Sequence, residues 1–148
     1  MRLLPLPEEE IPVVLERSRI DYRAQLVDFA GMSEELATRK AEADFATPPP
    51  ASELFAVEAD DGRRVGVLRF AEREYYGEPR VFLYDVWIEP AERGRGYGRG
   101  AMLALEATAR ECGLRIIDFN VWGGNAVARS LYRSLGYEER AVFMSKDL

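Results

Sequence analysis

Apolar positions in the N-terminal part of the chain recur at helical spacing. Between residues 8 and 45, Ile11, Val14, Leu15, Tyr22, Leu26, Val27 and Phe29 fall three, four and seven apart with polar residues between them, the pattern of a helix with one face against a core. Pro12 lies near the start, where it is tolerated. Gly31 stops the pattern, and Ser33 followed by Glu35 and Leu36 predicts a second helix with a capping hydroxyl and acidic residues in its first turn. The run Pro48-Pro49-Pro50 ends the helical region as a stiff connector. Beyond it the period becomes that of strands. Residues 53–58, a turn at Asp60-Asp61-Gly62 and residues 65–72 predict a hairpin. A second turn around Tyr76-Gly77-Glu78-Pro79 leads into residues 81–88, a near-continuous apolar run expected of a strand covered on both faces, with Asp85 its one charge. Residues 98–112 are rich in Ala, Leu and Glu, place Met102, Leu105 and Ala109 on one side, and end at Gly113 as a helix does. A strand over 115–122, a helix over 125–135 capped by Gly136 and a last strand over 141–146 complete the prediction.

This order of helices, antiparallel meander and then strand-helix-strand-helix-strand predicts an α/β fold, a mixed sheet with helices on both faces. At 148 residues the chain is expected to form a single domain spanning 1–148. Its 47% hydrophobic and 31% charged residues supply a core and a solvated surface, which excludes disorder. A net charge of -6 opposes a grip on nucleic acid. No stretch has the length of a membrane span or of a signal-peptide core, so a cytoplasmic protein without a membrane partner is expected. There is no histidine and one cysteine, Cys112, which removes the disulfide framework and the usual metal ligands; no metal is expected. Acid–base chemistry then falls to carboxylates, tyrosine, lysine or water. Cys112, near a helix C-terminus, is expected to be a small buried hydrophobe.

Between the buried strand and the long helix stands Arg93-Gly94-Arg95-Gly96-Tyr97-Gly98-Arg99-Gly100. Alternate glycines allow tight backbone turns and clear space for a ligand, and the free N–H groups of the following helix, with the flanking arginines, suit a phosphate or pyrophosphate. The plainer reading is a soluble glycine-rich turn. Gly96, Gly98 and Ala101 also satisfy a relaxed dinucleotide fingerprint, with Asp118 about twenty residues on. A nicotinamide-dependent oxidoreductase would need a second half of the sheet, and Asp118 falls inside the next strand instead of at its end. A Walker-type loop is excluded because no Gly-Lys-Ser/Thr follows.

The chain resembles the GNAT superfamily of acyl-CoA-dependent N-acyltransferases. Arg93, Gly96 and Gly98 match its Arg/Gln-x-x-Gly-x-Gly/Ala motif after a strand ending Val86-Trp87-Ile88-Glu89-Pro90, while Asn125, Ala128 and Tyr132, followed by Leu135-Gly136-Tyr137, match a second element downstream. The resemblance runs from about residue 53 to the C-terminus and implies strands that splay around an acyl-CoA site. It implies that the backbone from Gly94 through Arg95, Gly96, Tyr97 and Gly98 to Arg99 holds the CoA pyrophosphate. It also implies that the strand edge at Val86 to Ile88 pairs with the pantetheine amides and that Asn125 bonds the pantetheine arm. Asn125 can equally serve as the N-cap of its helix.

Acyl transfer to an amine needs a neutral nucleophile, a stabilised oxyanion and a proton for the departing thiolate. By resemblance Tyr132 is the acid, and a backbone N–H at Val86 or its neighbour serves the oxyanion. Asp85 is a candidate general base, because an apolar strand raises a carboxyl pKa; a structural salt bridge to an arginine is the alternative. The position where some relatives carry a glutamate base corresponds to Asn120, which cannot serve, and this leaves Asp85, Glu89, Asp118 or a water relay. Tyr75, Tyr76, Trp87 and Trp122 line either an acceptor cleft or the core. The resemblance implies an N-acetyltransferase using acetyl-CoA on a primary amine of a small molecule or protein, with dimers frequent through strand edges or the C-terminal strand. A non-catalytic acyl-CoA-binding module is the competing reading.

Overall fold

The computed structural model describes residues 1–47, 54–146 and 148. The connector expected at Pro48-Pro49-Pro50 and the strand start expected at Glu53 lie outside them. The elements run β1 (Arg2–Pro5), α1 (Ile11–Asp28), α2 (Glu34–Asp44), β2 (Leu54–Glu58), β3 (Arg64–Tyr75), β4 (Glu78–Ile88), α3 (Tyr97–Glu111), β5 (Ile117–Asp118) and α4 (Ala126–Ser134).

The strands form one sheet in the order β1-β2-β3-β4-β5. The first four pair antiparallel and β5 joins β4 in parallel, the mixed α/β architecture expected. Strand β1 has no counterpart in the prediction. Four residues ending in proline carry little strand signal of their own, and β1 exists because Leu3 pairs opposite Val57 at the sheet edge. Met1 then lies over Gly100 of α3, where any Cβ would clash with its sulfur.

Alternation along the strands divides the core in two. On one face Val57, Val65, Leu68, Val81 and Leu83 meet Ala101, Met102, Leu105 and Ala109 of α3. On the other, Leu54, Ala56 and Val67 meet Leu6 and Val14, with Ile11, Leu15 and Trp87 packed against them. Helices therefore cover both faces.

The turn residues behave as their chemistry dictates. Ser33 Oγ accepts from the Leu36 N–H at 3.3 Å and caps α2. Tyr76 and Gly77, both with positive φ (52° and 77°), make the tight β3–β4 hairpin. Both α3 and α4 end in paired reverse hydrogen bonds around a left-handed glycine: Leu114 N–H to Ala109 O (2.8 Å) around Gly113, and Tyr137 N–H to Tyr132 O (3.1 Å) around Gly136.

Three expectations are corrected. The strand predicted over 115–122 is reduced to Ile117–Asp118, opposite Val81 and Phe82, because β5 diverges from β4 after that pair. The strand predicted over 141–146 does not form: no strand pairs with these residues and they are exposed. Cys112 is exposed, not buried, because the glycine cap at the end of α3 turns that residue outward.

Candidate active site

Strand β4 carries the decisive irregularity. Its register with β3 steps from Arg69 opposite Asp85 to Phe70 opposite Leu83, so Tyr84 is an extra residue. A bulge shifts the phase of side-chain alternation. Val81 and Leu83 lie in the α3-side core, and beyond the bulge so do Val86 and Ile88. Asp85, which would otherwise share the face of Leu83, instead turns with Trp87 toward α1.

There Ser18 Oγ donates to Asp85 Oδ2 at 3.0 Å. Burial raises the Asp85 pKa; the Ser18 hydrogen bond, the Arg17 charge and the Arg69 charge oppose that rise, and Asp21 adds to it. Arg17 itself lies 3.9 Å over the Trp87 ring, and burial lowers its pKa against the charges of Asp85 and Glu89. Arg69 stands directly opposite Asp85 in the β3–β4 register, so the carboxyl lies between the charges of Arg17 and Arg69. Sequence reasoning missed Ser18, Arg17 and Arg69; polar residues on an amphipathic helix or a strand carry no signal until the strand they face is known.

Along its β5 side, β4 is paired only at Val81 and Phe82. From Leu83 to Ile88 that edge has no neighbouring strand among the described residues, and Val86 and Ile88 lie on this open stretch. Tyr132 of α4 stands beside it, half-buried, with its ring 4.5 Å from Phe119 and 6.2 Å from Tyr137. Burial and the nearby charge of Asp85 push the Tyr132 pKa up to about 12, so its hydroxyl stays protonated through the neutral range. Asp85 and Tyr132 thus sense one another across the strand edge.

The glycine loop leaves backbone donors open at the start of α3. Gly94 and Gly96 are both left-handed (φ 75° and 82°), and no atom lies within 4 Å of where their Cβ would stand. Gly96 is the N-cap of α3 and offers no side chain, so the first N–H groups of the helix, at Tyr97, Gly98 and Arg99, keep their donors for a ligand. Gly98 faces Leu131 of α4. The arginines mostly brace the loop: Arg93 Nε donates to Ile88 O at 3.0 Å, Arg95 pairs with Glu92 at 3.2 Å, and Arg99 bonds Ser134 Oγ. Asn125 Oδ1 accepts from Ala128 N–H at 3.1 Å, the N-cap role weighed for it.

The other candidate bases separate from this centre. Asp118 is bound by Arg80 at 3.2 Å. Asn120 is exposed. Glu89 lines a cavity of about 380 Å³ with Glu9, Glu10, Arg17, Arg64 and Trp87, on the Asp85 side of the sheet. Tyr75 and Tyr76 pack against each other with tilted rings at the exposed hairpin tip, and Trp122 donates to Gln25 Oε1 at 2.9 Å. Of the four aromatics considered for an acceptor cleft, only Trp87 lines this cavity. Among the described residues no cluster of metal-ligating side chains occurs, and no helix is long and apolar enough to cross a membrane.

The chain is similar to known proteins. The N-acetyltransferase YycN of Bacillus subtilis, itself uncharacterized, is 32% identical over 99 residues, 67% of this chain and 64% of YycN, so that match spans less than two thirds of its relative. The crystal structure of YycN superposes with a TM-score of 0.89 at 28% identity, covering 99% of this chain and 97% of YycN. An aminoglycoside N(6')-acetyltransferase type 1 from Stenotrophomonas maltophilia is 29% identical over 122 residues, 78% of this chain and 75% of that protein. The profile of the Acetyltransferase (GNAT) family matches residues 20–137, and with the bulged strand, glycine loop and capped α4 all inside that span, the chain belongs to the GNAT acetyltransferase family.

Proposed function

We propose that this acyltransferase moves an acetyl group from acetyl-CoA to a primary amine by direct attack in a ternary complex. The observation that carries the reading is the bulge at Tyr84, which turns Asp85 toward the α1 side while the unpaired edge of β4 runs beside Tyr132. The open N–H groups of α3 suit the CoA pyrophosphate, and the β4 edge at Val86 and Ile88 suits the pantetheine amides, as a strand accepts an added strand.

In this reading the amine nitrogen attacks the thioester carbonyl carbon and gives its proton to Asp85. A backbone N–H at Val86 or its neighbour holds the oxyanion. The C–S bond then breaks and the sulfur takes the proton of Tyr132, which is restored from Asp85 through solvent. Asp85 is suited to the base role because burial raises its affinity for a proton beyond what the Ser18 hydrogen bond and the Arg17 and Arg69 charges take away. No step calls on a metal. Longer acyl donors would meet the same binding groups.

The acceptor enters through the cavity at Trp87. Glu9, Glu10 and Glu89 on its wall favour a cationic amine, small molecule or protein side chain, and the net charge of -6 acts in the same direction. The likeness to an aminoglycoside acetyltransferase supports this class of acceptor. Calorimetric titration with acetyl-CoA, followed by thiol release across a panel of amines, tests the reading. Saturable binding with amine-dependent release is expected. Binding without release from any amine would make the chain an acyl-CoA-binding module, and absence of binding would overturn the donor assignment.

A further inference from the structure

Beside Asp85 the sheet carries a group of cations that acyl transfer does not use. In the β3–β4 register Arg69 stands opposite Asp85, Ala71 opposite Phe82 and Arg73 opposite Arg80, and directly opposed residues share one face of a sheet. It is the face that meets α1, since Ser18 bonds Asp85 there. The bulge adds Tyr84 to it: the Arg69 guanidinium lies 4.6 Å and the Arg73 guanidinium 4.9 Å from the centre of the Tyr84 ring, and the Phe82 ring meets that ring edge-on at 5.0 Å.

Two cations on one ring, with Arg80 across the strand pair, gather positive charge in a chain whose net charge is -6. Like charges placed directly opposite each other destabilise a sheet. Arg80 is offset by Glu78 at 3.1 Å and Asp118 at 3.2 Å. Arg73 is exposed and forms no ion pair or hydrogen bond among the described residues; its neighbours Glu72 and Glu74 belong to the other face by alternation. The Tyr84 hydroxyl is buried and also has no hydrogen-bond partner among the described residues, a donor left over on the ring the two arginines share.

From this placement we infer that Arg73, with Arg69 and Tyr84, forms a subsite for a carboxylate of the acceptor, so that the amines this enzyme acetylates are amino carboxylates. The inference rests on the acyl-transfer reading above and names the acceptor class within it. Along β4, Trp87 stands on one side of Asp85, and Tyr84 and Phe82 stand on the other. The glutamate-walled cavity at Trp87 draws in an ammonium group, and the arginines beyond Asp85 hold the anion. A guanidinium stacked on an aromatic face keeps its edge N–H groups for a bidentate carboxylate. A second cation at that end would meet the arginines, so a diamine fits worse than an amino carboxylate of the same length.

Two measurements on the full chain test this. Thiol release from acetyl-CoA is compared for γ-aminobutyrate and ε-aminohexanoate against butylamine and hexylamine, in the wild type, Arg73→Gln and Arg73→Lys. Each result is a ratio of kcat/KM within one protein, so loss of folded material cancels. The wild type should favour the carboxylate-bearing member by about tenfold or more, the worth of a hydrogen bond to a charged group. Arg73→Gln should bring the ratio toward one, and Arg73→Lys should restore part of it. Turnover without that preference, or a preference that survives Arg73→Gln, overturns the subsite and leaves the acyl-transfer reading standing. Calorimetric binding of N-acetyl-ε-aminohexanoate to the protein without CoA is the second readout. Binding that Arg73→Gln abolishes, with no thiol release from any amine, keeps the carboxylate subsite and overturns acyl transfer; binding that Arg73→Gln leaves intact overturns the subsite, and absence of both binding and release overturns both.

Discussion

Ser18 on α1 donates a 3.0 Å hydrogen bond to Asp85 on β4, across 67 residues of sequence. It ties the N-terminal helix to the one charge within residues 81–88 of that strand. Because a bulge precedes Asp85, that carboxyl meets α1 instead of the α3-side core, and helix and bulge together set the surroundings of the proposed base.

Asp85→Asn is expected to lower turnover by about 10²–10⁴-fold, the usual worth of a positioned general base. Its effect on stability has the opposite sign. The folded-state pKa of Asp85 is raised above the ordinary value, chiefly by burial, so the native state binds its proton more tightly than the unfolded state. Stability from this group is therefore full below the unfolded pKa and declines as pH rises to the folded one. Asp85→Asn escapes that decline and should melt higher than the wild type at neutral pH, with the advantage shrinking in acid. Melting curves across pH check this, and a lower neutral melting temperature for Asn would contradict it.

Ser18→Ala removes a donor that favours the charged carboxylate. The acid limb of kcat/KM, where activity appears as Asp85 loses its proton, should move to higher pH while the plateau is largely kept. A pH profile that does not move would show that Ser18 acts only in packing.

Tyr132→Phe should reduce kcat by about 10²-fold or more, the lower end of general-acid contributions, with acetyl-CoA affinity nearly unchanged. The ring packing on Phe119 survives the change. Since the wild-type hydroxyl is pushed up to about 12, its ionisation should give no alkaline fall in activity below about pH 11. Steady-state rates set against calorimetric affinities decide the point; comparable turnover would remove Tyr132 from the acid role.

Two glycines separate binding from folding. Gly96→Ala forces a left-handed residue (φ 82°) into a side chain with open space around it, so a loss of about 1–2 kcal/mol is expected from backbone strain. That loss should appear mainly as weaker acetyl-CoA binding. Gly66→Ala places a Cβ into the Trp87 carbonyl oxygen across the β3–β4 pair. It should destabilise the fold by about 3 kcal/mol, as overpacking does. Denaturant melts paired with titration distinguish the two.

Much of the fold was legible because it rests on local chemistry. The caps at Ser33 and Asn125 form the hydrogen bonds their residue types predict, and Gly31, Gly62, Gly113 and Gly136 all take the left-handed conformation required to end a helix or turn a hairpin. The loop from Arg93 to Gly100 was legible for the same reason. Strand β1 was not, since its stability lies in pairing with β2. Nor was the shortening of β5, which follows from how two strands diverge.

Residue order alone was enough to place the helices, the meander and the glycine loop before α3, because capping, periodicity and glycine conformations act over a few neighbouring residues. Which face Asp85 occupies was settled by a one-residue slip between β3 and β4. The partners Ser18 and Arg17 were settled by the packing of α1 against that face. That residues 141–146 stay outside the sheet was settled by the lack of a strand pairing with them among the described residues. Each of these depends on contacts between segments distant in the chain, where a register of one residue reverses the side a residue points to, and no local pattern records that choice.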